Sequence, residues 1–302
     1  MTDMSANTDK RFKLVHAYAL LALAVFTWAI GLIIGRAVYE EIPPVGLSFW
    51  RWLIAAIILL PFCWQAVSRN FGVIRANLVF FSLQGVLMTG GGVLLYLALN
   101  YTTAINVSLV NSTQPALTVL IARILTGDKI NRIQLLGIAS AMMGVTIMVA
   151  KADFSVLMSL EFNAGDLITI LATMSYAMYA VNIRKMPSDL GLFPSVFVIL
   201  ALGSIFLLPI YVWETIFIRS VPFNGMFFAS AITLAILVSI LALALWNTGN
   251  AIAGHNRASI FVNLFPIYSA ILAITFLDER IFFYHLFGAG FVCAGIFMVI
   301  RE

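Results

Sequence analysis

The stretch "QPALTVLIARILTGDKINRIQLLGIASAMMGVTIMV", residues 114–149, has a second version, "FPIYSAILAITFLDERIFFYHLFGAGFVCAGIFMVI", at residues 265–300. The two align without a gap. Pro115 falls on Pro266, Asp128 on Glu279, Lys129 on Arg280, Ile130 on Ile281, Gly137 on Gly288 and Gly144 on Gly295, always 151 positions apart. Two unrelated apolar stretches would match leucines and alanines by chance. They would not hold a proline, an acidic-basic pair and two helix glycines in one register. Further back, Trp28 falls on Tyr176, Arg36 on Arg184 and Leu60-Pro61 on Leu208-Pro209, each 148 positions apart. A single short insertion reconciles the two offsets, so the chain reads as an internal duplication.

Composition says where such a chain lives. Of 302 residues, 62% are hydrophobic and only 10% charged, with a mean hydropathy of +1.04. A water-soluble domain carries about a quarter charged residues, which excludes one here. A membrane-spanning helix needs roughly 20 mostly apolar residues. Ten such runs are predicted, near residues 14–36, 46–67, 76–99, 104–125, 131–150, 164–184, 193–214, 222–246, 257–277 and 281–300. The expectation is an all-α integral membrane protein, with one unit over 14–150 and the other over 164–300. Five helices per unit is an odd number, so the second unit enters the membrane from the opposite side. That makes an inverted repeat, an architecture suited to a transporter that exposes one central site to each face in turn. The apolar first helix lacks a small-residue cleavage pattern and reads as a retained anchor.

Basic residues set the orientation. With a cytoplasmic N-terminus, Lys10, Arg11, Lys13, Arg69, Arg75, Lys129, Arg132, Arg184, Lys185, Arg257 and Arg301 lie inside, and Arg36, Lys151, Arg219 and Arg280 outside. Arg51 and Arg123 are assigned to helix ends. Eleven against four puts both termini in the cytoplasm by the positive-inside bias. The basic balance is then a matter of topology and calls for no nucleic-acid partner.

One segment is unusually polar for a membrane helix: "YTTAINVSLVNSTQPALTVLI", residues 101–121. On a helix, Ser108, Asn111, Ser112 and Pro115 share one face. Adding 151 gives Ser259, Val262, Asn263 and Pro266, so both copies present a serine, an amide and a proline. Each proline removes a backbone donor near mid-span and frees the carbonyl four residues earlier. Ser, Thr and Asn in membrane helices ordinarily join helices to one another, and each taken singly fits that role. The set, at one depth in two opposed copies, fits a cavity. Aromatic candidates to line it are the register partners Trp28 and Tyr176, with Tyr179 one turn on, and Tyr96 and Trp246 near the ends of their helices.

What is missing also discriminates. No Asp or Glu lies in the middle of a predicted span, and Asp166 stands at the start of one, so no buried carboxylate relay is expected. His16, His255 and His285 lie near helix ends and read as solvated or interfacial. No catalytic, metal or cofactor site is expected. Of the Asp278-Glu279-His285 group, the first two have their repeat counterpart in Asp128-Lys129, which points to helix capping and loop pairing and away from an enzyme. Cys63 and Cys293 lie in apolar runs.

Two five-helix units, each ending in proline, a long apolar stretch, an acidic residue after a small turn and glycines seven apart, resemble the EamA family of the drug/metabolite transporter superfamily. The chain departs from the family's usual glutamate at Asp128. Its Arg51 matches a second-helix arginine common in that family, and the register partner is Ile199. Within the family the chain is most similar to bacterial exporters of the aromatic amino acid type. The resemblance implies a multi-pass protein of the bacterial inner (plasma) membrane that exports amino acids, aromatic and other neutral ones. The alternatives are a multidrug or other small-metabolite exporter and a membrane-embedded enzyme.

Overall fold

A computed structural model of the chain describes residues 2–127, 131–151, 163–254 and 261–300. Among the described residues every regular element is a helix. They are α1 (Thr2–Ala37), α2 (Pro44–Arg69), α3 (Phe71–Ala76), α4 (Leu78–Ala98), α5 (Ala104–Asn111), α6 (Gln114–Thr126), α7 (Arg132–Val149), α8 (Ala164–Asn182), α9 (Leu192–Phe217), α10 (Gly225–Ala253), α11 (Leu264–Leu277) and α12 (Phe283–Ile300). Lipid supplies no hydrogen bonds, and a helix satisfies its own backbone. The ends are marked by polar side chains that reach back to the first free N–H groups. Thr103 caps α5, Asn163 caps α8 and Asn224 caps α10, while Asn131 and Gln134 form a reciprocal capping box on α7. Gly127 (φ 76°) closes α6, and at the register-equivalent place Asp278 (φ 53°) closes α11, both left-handed.

Among the described residues seven helices are long and apolar enough to cross a membrane, and Gln114–Leu125, Leu264–Leu277 and Phe283–Met298 are shorter apolar helices. The difference from the ten expected has a physical cause in the fourth span. A turn at Ser112–Thr113 divides it into α5 and α6, neither of which is long enough alone. A corresponding turn at Val262–Asn263 precedes α11, and part of that span, residues 255–260, lies outside the described residues. In α10, Leu234–Leu241 is π-helical, with the Ser239 hydroxyl donating to the Leu234 carbonyl five residues back. The outer face is apolar, with Val79 84% and Phe62 80% exposed, a surface that only lipid covers without cost.

Eight spans pack in a closed ring. Helix α2 lies between α9 and α10; α9 packs on α4, α4 on α8, α8 on α5 and α6, α5 on α11, α11 on α1, and α1 on α10. Exchanging α1 with α8, α2 with α9, α4 with α10, α5–α6 with α11 and α7 with α12 maps this list onto itself. The remaining pair, α7 and α12, lies outside the ring against α5 and α6.

Glycines show the same exchange at atomic scale. A methyl group on Gly144 would sit 2.5 Å from the Gly288 carbonyl oxygen, and one on Gly295 would sit 2.4 Å from that of Gly137. The sequence aligns Gly137 with Gly288 and Gly144 with Gly295; the contacts run crosswise, as they must about a two-fold axis between α7 and α12. These glycines let two backbones touch.

Candidate functional site

The break between α5 and α6 is satisfied largely from within. Ser112 Oγ donates to the Leu109 carbonyl (2.6 Å), Thr113 Oγ1 to Val110 (2.7 Å) and Ser108 Oγ to Ile105 (2.8 Å). Ser108 and Ser112 are buried, and their hydroxyls serve the backbone of their own helix. Asn111 is half-buried and its Oδ1 lies 3.3 Å from the Thr173 hydroxyl of α8. Asn263, the amide of the second copy and the register partner of Ser112, has a buried Oδ1 with no partner. The register partner of Thr173 is Val25, which has nothing to donate. Pro115 and Pro266 both follow a helix break, as the missing donors require. Ser259 lies outside the described residues.

The aromatic candidates divide into groups. The Trp28 and Trp246 rings are 5.2 Å apart and share one apolar cluster with Tyr96. Tyr176 lies against α4, where a methyl on Gly91 would be 3.1 Å from its ring. Tyr179 packs elsewhere, in a separate cluster with Phe81, Val198 and Ile199. It is one helical turn from Tyr176 and faces a different neighbourhood. Tyr96, expected near a helix end, is 3% exposed and inside the protein.

Tyr96 leads to a residue that sequence reasoning did not place in the site. Arg51 is the eighth residue of α2, about 10 Å along the helix at 1.5 Å per residue, and it is buried; its assignment to a helix end is corrected. Its Nη1 donates to the Tyr96 hydroxyl at 2.6 Å, and its guanidinium carbon stands 3.8 Å from the centre of the Trp52 ring. Tyr176 is also within its electrostatic reach. Among the described residues no carboxylate pairs with it.

A polar seam ties the two halves together at the end of the bundle where α1 finishes and α5 begins. Glu279 accepts from the N–H groups of Ala104 (2.8 Å) and Ile105 (3.0 Å), and its Oε1 is 3.7 Å from Arg36 Nε. Arg36 also donates to the Leu99 carbonyl. Capping was expected of the acidic residue after α11, but the helix that Glu279 caps belongs to the other copy. A second chain of bonds runs beside it. Asp166, 1% exposed, accepts from Thr102 Oγ1 (2.8 Å) and Asn106 Nδ2 (3.3 Å). His285 is 4% exposed, correcting its reading as a solvated residue. The Phe282 N–H donates to its Nδ1 (3.0 Å), so Nε2 carries the proton and donates to Asn106 Oδ1 (2.8 Å). Partners 179 residues apart, as Asn106 and His285 are, leave no mark in sequence spacing.

Over this seam lies a cleft of about 340 Å³, its lining including Arg36, Tyr39, Asn106, Lys151, Arg280 and His285. The Tyr39 hydroxyl donates to Glu40 (2.7 Å), and that bond to a carboxylate raises its pKa above the ordinary tyrosine value. The opposite corner of the same end is held by Glu214 of α9, which accepts from Val45 N–H (3.1 Å) and Gly46 N–H (2.7 Å) at the start of α2. The site is therefore a set of buried donors and aromatic rings below a seam of charged caps.

Comparison with known proteins agrees. An uncharacterized transporter of Archaeoglobus fulgidus is 28% identical over 283 residues, covering 93% of this chain and 96% of its own. The uncharacterized transporter YyaM of Bacillus subtilis is 25% identical over 280 residues, covering 92% and 90%. The aromatic amino acid exporter YddG of Salmonella typhimurium is 26% identical over 295 residues, covering 91% and 93%. One solved crystal structure, 16% identical, shares the fold with a TM-score of 0.60 over 93% of this chain and 95% of its own. Residues 16–150 and 163–301 both match the EamA-like transporter family, and the chain belongs to that family of membrane transporters.

Proposed function

We propose that this transporter exports amino acids, aromatic and other neutral ones with broad specificity, by alternating access. It crosses the membrane ten times as two five-helix units, residues 14–150 and 164–300, of opposite sense, with both termini in the cytoplasm of a bacterial cell. The observation that carries the reading is the ring of helix contacts, which is unchanged when each helix of one unit is exchanged with its counterpart. Two units so related can trade conformations and thereby move the opening from one face to the other. The Glu279 and Asp166–His285 seam then closes the outward end, and Trp28, Trp246, Tyr96 and Tyr176 face the solute, with Asn111 and Asn263 beside the two helix breaks. The substrate class is supported by those rings and by the likeness to the aromatic amino acid exporter of Salmonella typhimurium.

Counterflow in proteoliposomes tests it. Vesicles preloaded with unlabelled phenylalanine should accumulate labelled phenylalanine, tryptophan and leucine and ignore tetraphenylphosphonium. Exchange of the cation without the amino acids would replace the amino-acid reading by that of a multidrug exporter.

A further inference from the structure

Arg51 poses a question that the packing does not answer. A charge inside a membrane protein is expensive unless it is paired. Yet Arg51 is 5% exposed and lacks a carboxylate among the described residues. Its partners are two tyrosines: Nη1 donates to the Tyr96 hydroxyl, and the guanidinium also hydrogen-bonds the Tyr176 side chain. Its Nε has no partner, and neither has the indole Nε1 of Trp52, which is 3% exposed.

These donors converge. A methyl group on Gly92 of α4 would sit 3.2 Å from both Arg51 Nη2 and Trp52 Nε1. The glycine lets α4 come close to them, and any side chain there would crowd both donors. The result is a nook rimmed by guanidinium and indole N–H donors, with Tyr96 and Tyr176 on its sides. The tyrosine hydroxyls accept from Arg51, but Arg51 Nε and Trp52 Nε1 still lack acceptors, and among the described residues no anionic group faces them. If Arg51 served only to join helices, the register would be expected to repeat it; the corresponding position is Ile199 in the middle of an apolar face.

We propose that Arg51, Trp52 and Gly92 form a carboxylate-binding site for the acid group of an aromatic or apolar solute. A guanidinium offers two parallel N–H donors to the two oxygens of a carboxylate, and the indole N–H supplies a third bond. The surrounding rings take the apolar remainder of the solute. The nook is closed in this conformation, so the solute reaches it when α2 and α4 part. This inference rests on the transporter reading for how the solute arrives. It goes further in naming the acid group as the part recognised, and it opposes an organic-cation substrate, which Arg51 would repel.

Titration calorimetry on the purified protein in detergent separates the two claims. Phenylacetate and phenylalanine should bind, and phenethylamine, which lacks the acid group, should not. Arg51→Gln should weaken phenylacetate at least tenfold, with Arg51→Lys intermediate. Should Arg51→Gln fail to fold, Gly92→Ala keeps the charge, crowds the donors and should weaken phenylacetate about tenfold with an unchanged melting temperature. Equal binding of phenethylamine, no binding of phenylacetate, or wild-type affinity in the folded Arg51→Gln or Gly92→Ala variant each overturns the site. Arg51-dependent binding of phenylacetate by a protein that fails to exchange phenylalanine in vesicles would keep the site and remove the amino-acid reading.

Discussion

Replacing Glu279 by glutamine should unfasten one end of the transporter while leaving its fold in place. The carboxylate accepts two backbone N–H bonds at the start of α5, 2.8 and 3.0 Å long, and is 3.7 Å from Arg36 Nε. Its side chain is only 7% exposed, so water screens these contacts little. A glutamine keeps one accepting oxygen and turns an NH2 group toward the other donor. The lost bond to a charged acceptor is worth about 1.5–3 kcal/mol, and the attraction of a negative charge to the helix N-terminus adds about 0.3–1 kcal/mol. Taking about 2 kcal/mol overall, with about 1.4 kcal/mol per factor of ten, the state open at this end gains roughly 30-fold in relative population. The assay needs a buried reporter. Val107, one turn into α5 and 0% exposed, is changed to cysteine in a Cys63→Ala, Cys293→Ala background and labelled in vesicles with a membrane-impermeant maleimide. Labelling should accelerate by at least tenfold in Glu279→Gln. An unchanged rate in a protein with the wild-type melting temperature would refute the assignment of this seam as a latch.

Three further perturbations follow from the geometry. Gly288→Val drives a side chain to within 2.8 Å of the Gly144 carbonyl and 2.3 Å of Met148 Cγ; overpacking should cost about 1–3 kcal/mol. Its thermal unfolding temperature in detergent should fall, while Gly290→Ala, which meets open space, should not move it; an equal drop in both would discard the glycine contact as the cause. Trp28→Ala removes one ring of the Trp28–Trp246 pair and should cut phenylalanine counterflow about tenfold, whereas Trp213→Ala on the lipid-facing surface should not. Asn111→Leu should lower stability by about 1 kcal/mol through loss of the Thr173 contact, and Asn263→Leu should leave stability unchanged or raised while slowing transport. If melting curves rank the two amides the other way, their roles have been confused.

Gly137, Gly144, Gly288, Gly295 and the two prolines made the duplication readable because each answers a backbone demand that few other residues meet. Close helix approach and a mid-span break both recur at fixed register, so both survive as sequence periodicity. The α5–α6 break was legible at Pro115 for the same reason, but its consequence was not. That Ser108, Ser112 and Thr113 would turn back onto their own carbonyls is decided by rotamers, which spacing does not encode. Arg51 was overlooked because its neighbours Tyr96 and Tyr176 come from other helices, and from the chain alone it sits near the start of an apolar run. His285 misled for the opposite reason: its position near a helix start is what sequence shows, and its burial against Asn106 depends on how α12 meets α5. Tyr176 and Tyr179, adjacent on one helix, diverge because a turn of helix is enough to change which partner a ring meets.

The crosswise glycine contacts between α7 and α12 are carried onto each other when the two units are exchanged. The pair of contacts is its own image, so on the proposed alternating-access cycle it is shared by both faces and need not break as the units trade shapes. The seam at Glu279 is not such a contact, and on the proposed alternating-access cycle it belongs to one phase alone. Damage to Gly144 or Gly288 should therefore change how much protein survives and not which way it faces, and damage to Glu279 should do the reverse.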